Sequence, residues 1–179
     1  MPIEPDTKDW TWVLVKKCEE CGFEGSAFPR EHVGEMVRAN AAQWRQLLGH
    51  PQVTQRPSDD RWSCLEYACH VRDVFRLYDQ RLKMMLEQDD PEYPNWDQNQ
   101  AAVEQDYLAK EPSKVADEIE EAGTAVARRF DSVHGEQWAR PGRRSDGARF
   151  TIESFGRYFI HDPIHHVDDV RRGYQRLSN

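Results

Sequence analysis

Six residues near the C-terminal end, HDPIHH (His161 to His166), carry three imidazoles and a carboxylate. His161 and His165 stand four apart, and so do Asp162 and His166, with Pro163 between them. Four is the spacing that stacks two side chains on one face of a helix, and two imidazoles so placed can share a divalent cation. His70, in EYACHVRDVF, is a third nitrogen donor from a distant segment. Three protein ligands leave a position on a catalytic metal open to water or substrate.

On an ideal wheel at about 100° per residue, the apolar residues of the last segment gather on one side. These are Ile152, Phe155, Phe159, Val167, Val170 and Tyr174. His161 and His165 then point to the opposite, solvent side, and His166 sits near the apolar edge. Pro163 cannot donate to the carbonyl four residues back, and a π-bulge is one common accommodation. A bulge brings residues five apart onto one face, so His161 and His166 would meet and His165 would swing away. Asp162 with His166 is a further ligand pair. The bland alternative is a kinked polar patch on an exposed face.

A second motif, CEECGF, places Cys18 and Cys21 in a Cys-x-x-Cys-Gly turn. This is half of a zinc knuckle, and a closed structural site needs four ligands. His32, His50, Cys64 and Cys69 are the partners considered for it, since no second Cys-x-x-Cys exists. A redox role is disfavoured because the motif does not open a helix in a strand-helix-strand context.

The elements that must position these groups are helical. Pro29 precedes a first helix with Val33, Met36, Val37, Ala41, Trp44, Leu47 and Leu48 at steps of three and four, ending near Gly49 to Pro51. Ser63 reads as the N-cap of a second helix, with Glu66 completing a capping box. Its seam is Ala68, Val71, Phe75, Tyr78, Leu82 and Met85. Asp90 to Pro112 is a long crossover with a short helix around Ala101 to Leu108. A third helix spans about Ser113 to Val133, an irregular link with a Ser-Asp-Gly turn follows, and Thr151 opens a fourth helix that runs to about Leu177. The fold class is therefore all-α, a four-helix bundle with one long crossover between helices 2 and 3 and at most a hairpin of strand. Residues 1–28 form an irregular N-terminal segment, with Thr11 to Cys18 extended, and residues 29–179 form the bundle domain.

Composition limits the function classes. The 179 residues suit one domain with a real core. They are 38% hydrophobic and 31% charged, with a net charge of −8. No basic cluster is dense enough for nucleic acid, RPGRRSDGAR being short and interrupted. No apolar run approaches the ~20 residues that span a bilayer. The N-terminus, MPIEPDTKDW, lacks the marks of a secretion signal, so a cytoplasmic protein with reduced cysteines is expected.

EYACHVRDVF, GRYFIH and HHVDDV together resemble the DinB/YfiT-like superfamily of metal-binding bundles, over the chain from about Pro29 to its end. The resemblance implies one ligand histidine in the second helix, which is His70. It implies two in the fourth, commonly as His-x-x-x-His, which selects His161 and His166 with His165 next. The two fourth-helix matches are in register only with one inserted residue, a departure from the family pattern. The resemblance further implies an up-down-down-up bundle, often a homodimer, with Zn or Ni at an open end of the core. Its characterised members include S-transferases using bacillithiol or mycothiol and a mycothiol-dependent maleylpyruvate isomerase.

A divalent metal on His70, His161 and His166 would activate water or a thiol, so the expected function is a metal-dependent transferase using a low-molecular-weight thiol on a small-molecule substrate. The alternatives are a metal-assisted hydrolase and a non-catalytic metal- or ligand-binding protein. Glu66, Asp73 and Asp162 are candidates to orient the ligand rings. Trp96 and Asp97 are candidate rim residues. Arg143, Arg144 and Arg149 are candidates to bind a cofactor carboxylate.

Overall fold

The computed structural model describes residues 9–178. The first eight of the ten residues of the N-terminal stretch MPIEPDTKDW read above lie outside that range. Four long helices carry the structure: α1 (Val33–Leu48), α2 (Cys64–Glu87), α4 (Pro112–Asp131) and α5 (Ile152–Leu177). A short helix, α3 (Gln98–Glu104), and a 3-10 turn at Tyr107–Ala109 lie in the crossover. α4 and α5 each pack against both α1 and α2, so α1 and α2 face one another across a diagonal. No described helix is long and apolar enough to cross a membrane.

The ring of Phe159 stands at the centre of the core, within 4.6 Å of the Tyr78 ring centroid, 5.6 Å of Phe130 and 6.0 Å of Phe75. The seam read for α2 is buried throughout. Gly123 lets α4 approach closely, since a Cβ there would stand 3.1 Å from the Ala41 Cβ and 3.2 Å from the Phe75 ring.

Local chemistry sets the ends of the site-bearing helices. Ser63 Oγ accepts from the Glu66 backbone N–H, and Glu66 accepts from the Ser63 N–H at 2.9 Å, a complete capping box. Thr151 and Ser154 form the equivalent box on α5. At the other end of α2, Arg140 donates to the carbonyls of Met85 and Gln88, both at 2.7 Å.

Three strands make a small sheet: β1 (Glu92–Tyr93), β2 (Pro141–Arg144) and β3 (Arg149–Thr151). β2 and β3 are the hairpin around Ser-Asp-Gly, and β1 adds in parallel from the crossover. The sheet thus exceeds the hairpin expected. Its consequence is positional: the crossover is tied to β2, with Ser145 N–H donating to Tyr93 O and Asn95 N–H to Ser145 Oγ. That tie holds Trp96 over the bundle end.

Two expectations are corrected. Trp10–Leu14 is a 3-10 helix, not an extended strand, because the Asp9 carboxylate accepts from the Thr11 N–H and starts a turn. It packs on α5. And α5 stays α-helical through Pro163, with no π-bulge. Asn40, itself buried, donates to the Pro163 carbonyl at 2.8 Å and so joins α1 to the helix at its weakest point.

Replacing Ser63 by Ala should lower unfolding free energy by about 1 kcal/mol with an unchanged urea m-value. An unaltered midpoint would show that the box is not what starts α2.

Candidate metal centre

Unbroken α-helical register decides which side chains meet. Residues four apart share a face, so α5 presents two pairs roughly 100° apart, Asp162 with His166 and His161 with His165. Asp162 and His166 point at α2. His70 Nε2 lies 3.3 Å from the Asp162 carboxylate, His166 Nε2 lies 3.5 Å from it, and the His70 and His166 rings meet edge to face at 4.9 Å. One ligand atom from each of the three falls within 4.8 Å of the others.

His161 and His165 face the N-terminal segment instead. The expected placement of His161 beside His70 is therefore corrected, as is the expected solvent exposure of His161 and His165. They are 4% and 7% exposed because Trp10, Trp12, Phe23 and Cys18 cover that side of α5. A wheel drawn for α5 alone has no means of including that cover.

The charges in the triad are strongly coupled. Burial would raise the Asp162 carboxyl, yet the neighbouring imidazoles of His70 and His166 hold it well below the usual range. Burial also opposes charge on His166, yet Asp162 and Asp169 bring it up to about 10. Asp169, burial notwithstanding, is drawn down to about 2 by His166, His165 and Arg172. His161 goes the other way, pushed down to about 4 by burial and the adjacent His165.

Asp169 is the residue that sequence reading missed. Its carboxylate accepts from His166 Nδ1 at 3.0 Å, fixing the ring so that Nε2 faces Asp162 and His70. The signal was present in HHVDDV, where Asp169 follows His166 by three residues, one helical turn.

Other candidates fall in several places. Glu66 turns away, pairing with Arg56 at the α2 cap, and so does not orient His70. Asp73 accepts from Arg72 at 2.8 Å and from the Tyr107 hydroxyl at 2.6 Å, which ties the crossover to α2 and likewise leaves the His70 ring alone. Trp96 stacks on His70 with centroids 5.5 Å apart, and Trp62 closes the other flank at 5.4 Å. Asp97 caps α3 through the N–H groups of Asn99 and Gln100. Arg144 is held by Asp146 and the Tyr158 hydroxyl, while Arg143 and Arg149 lie within 4 Å of Asp90. Trp138 is a core residue under Arg30.

The partners considered for Cys18 and Cys21 are elsewhere. His32 is exposed beside Glu35, His50 stacks on Tyr174, and Cys69 lies against the Tyr107 carbonyl. Cys64 is buried next to Tyr174.

A cleft of about 960 Å³ opens over the triad. Asp162 and His166 line it together with Trp96, Asp97, Arg144 and Arg149, while His70 lies behind Trp96. Two imidazoles and a carboxylate, with a cleft on one side, are the donors of an open metal site.

A family model for the DinB superfamily matches residues 34–170. The chain belongs to the DinB superfamily. Among solved structures it is similar to YfiT from Bacillus subtilis, with a TM-score of 0.72 and 19% identity, covering 92% of this chain and 91% of that one. That protein is described as a probable metal-dependent hydrolase with an unusual four-helix bundle topology. No curated protein matches the chain. In this DinB chain the second-helix histidine is His70, and the i, i+4 pair facing it is Asp162 with His166.

The sign of the coupling gives a test in chelator. A His166 pKa raised from about 6.5 to about 10 stabilises the metal-free fold fully below pH 6.5, and that contribution disappears as pH rises through 10. The stability gap between wild type and His166→Gln should shrink by on the order of 2–4 kcal/mol between pH 6 and pH 10.5. A gap constant across that range in urea titrations would contradict the buried ion pair.

Proposed function

We propose that this DinB protein is a metal-dependent hydrolase whose cation is held by His70, Asp162 and His166. The observation that carries the reading is the donor set itself. Two imidazoles and one carboxylate converge within 4.8 Å beside a cleft that Asp162 and His166 line, and His70 Nδ1 is buried with no hydrogen-bond partner among the described residues. His₂-carboxylate sets with an open position serve zinc hydrolases. The description of the similar YfiT as a probable metal-dependent hydrolase supports the same class. The carboxylate also widens the choice of cation beyond the Zn or Ni implied by an all-histidine set, toward harder ions such as Mn²⁺ and Fe²⁺.

When bound, the cation supplies Lewis acidity and lowers the pKa of a coordinated water. The protein's own groups do the rest. Asp169 holds the His166 ring by accepting from Nδ1. In the metal-free state His166 carries a proton that must leave for its Nε2 to act as a ligand, so loading releases a proton to solvent. Trp96 and Trp62 shield the His70 side from water. Arg144, fixed by Asp146 and Tyr158, and the more exposed Arg149 offer guanidinium groups to an anionic substrate in the cleft. The up-down-down-up helix order and a homodimer belong to the same proposal and rest on the family alone, while a cytoplasmic location rests on the expectation drawn from the sequence.

A thiol transferase remains the second reading. Arg149 favours it, because it lines the cleft, is largely exposed and makes a loose 3.8 Å ion pair with Asp90, which leaves its guanidinium able to take a cofactor carboxylate.

The decisive experiment strips the protein with chelator, reloads it with Zn²⁺, Mn²⁺, Fe²⁺ or Ni²⁺, and assays activated esters and amides with and without added thiol. Metal-restored hydrolysis without thiol is expected, and turnover only with thiol would select the transferase. Asp162→Asn and His166→Gln should abolish restoration. Asp169→Asn should weaken cation affinity by about 10–100-fold while leaving the fold intact. Affinity at the triad should rise about tenfold per pH unit between pH 6 and 9, because one proton is displaced.

A further inference from the structure

The other face of the HDPIHH turn carries a complete and separate donor set. Cys18 and Cys21 from the N-terminal segment meet His161 and His165 from α5, and one ligand atom from each of the four lies within 4.8 Å of the rest. Cys18 Sγ is 3.6 Å from His165 Nδ1. With Zn–S of about 2.3 Å and Zn–N of about 2.0–2.1 Å, the S-to-N edge of a zinc tetrahedron is about 3.6 Å. The donors thus already stand near coordination distance.

Three further features point to a ligand there. His161 is 4% exposed, and its Nε2 is buried with no hydrogen-bond partner among the described residues, a cost that a protein rarely leaves unmet. The cysteine turn has the knuckle shape: Gly22 N–H donates to Cys18 O and Cys18 N–H to Phe23 O, both at 2.8 Å. Gly22 sits at φ +75, a left-handed conformation that suits glycine at the position after the second cysteine. His165 is oriented from behind, since its Nε2 lies 3.7 Å from Asp169 and 3.9 Å from Glu20 while Nδ1 faces the sulfur. Trp10, Trp12 and Phe23 surround the His161 ring at 5.7–6.5 Å.

We propose that Cys18, Cys21, His161 and His165 bind a structural zinc ion that staples the N-terminal segment to α5. Four protein ligands inside an aromatic shell leave no open position, so this second site is closed and non-catalytic. Paired sulfur and imidazole donors select zinc over the harder ions that suit the His70 triad. Binding releases the two thiol protons to solvent, leaving two thiolates and two neutral imidazoles on the cation. The staple has a consequence for the cleft. Trp10, Thr11, Leu14 and Glu20 form one of its walls, and nothing covalent fixes that wall to the bundle except the chain through Pro29. Asp169 reaches both sites, orienting His166 through Nδ1 and standing behind His165.

The test uses the full chain, loaded with Co²⁺ as a spectroscopic stand-in for zinc. Wild type is expected to take up about two cations per chain, one of them showing the intense thiolate-to-cobalt charge-transfer band and tetrahedral d–d absorption. The double variant Cys18→Ser/Cys21→Ser should take up one cation without that band. His166→Gln, which addresses only the triad, should keep the band. A wild-type chain with no thiolate-to-cobalt band overturns the proposal, and a band that persists in the double variant does so too. Where the double variant fails to fold, trypsin on wild type decides. Lys16 and Lys17 are exposed beside the knuckle. Their cleavage should be suppressed by Zn²⁺ and restored by chelator, both in wild type and in His166→Gln. Cleavage indifferent to zinc overturns the staple while leaving the triad reading untouched.

Discussion

An α-helix advances about 100° per residue, and in α5 that rotation is uninterrupted across Pro163. Four ligand-type side chains packed into six residues are thereby dealt onto two neighbouring faces. Asp162 and His166 go to the bundle interior, and His161 and His165 go to the side covered by the N-terminal segment. Had the helix bulged by one residue, His161 and His166 would have met, and neither cluster would have formed as it stands. Asn40 braces the proline turn from α1, with its amide on the Pro163 carbonyl and its own oxygen accepting from Trp44. A buried side-chain bond in the core therefore lies directly behind both groups of donors.

Everything else at that end of the bundle serves the interior face. α2 begins at a capping box, which fixes where His70 falls along the helix. The small sheet ties the crossover to the last connection and sets Trp96 against the His70 ring. Asp169, one turn beyond His166, sets that imidazole's orientation. The electrostatics follow from this geometry. A carboxylate between two imidazoles stays ionised, and His166 keeps its proton because Asp162 and Asp169 flank it, although burial opposes the charge.

Membership in the DinB superfamily and the likeness to YfiT are statements about fold. The expected facing of His161 and His166 toward His70 is not what the fold produces, since Asp162 and His166 face it instead. A carboxylate in that place puts a negative charge between the two imidazoles, a donor type that hard cations favour.

The amphipathic spacing of α1, α2, α4 and α5, the Ser63 capping box, the start of α5 at Thr151 and the crossover were legible in the residues, because helix periodicity, N-caps and turn residues act within a few positions of themselves. So was the participation of His70, His166, Cys18 and Cys21 in ligand-like motifs. Which donors join which was not. The wheel sent His161 and His165 to water, and only the fold brings residues 10–23 across α5 to bury them and to set two sulfurs beside two imidazoles about 140 positions away. Pro163 permitted either a bulge or a continuous helix. The choice rests on packing against Asn40 and α2, a long-range contact that no local pattern encodes.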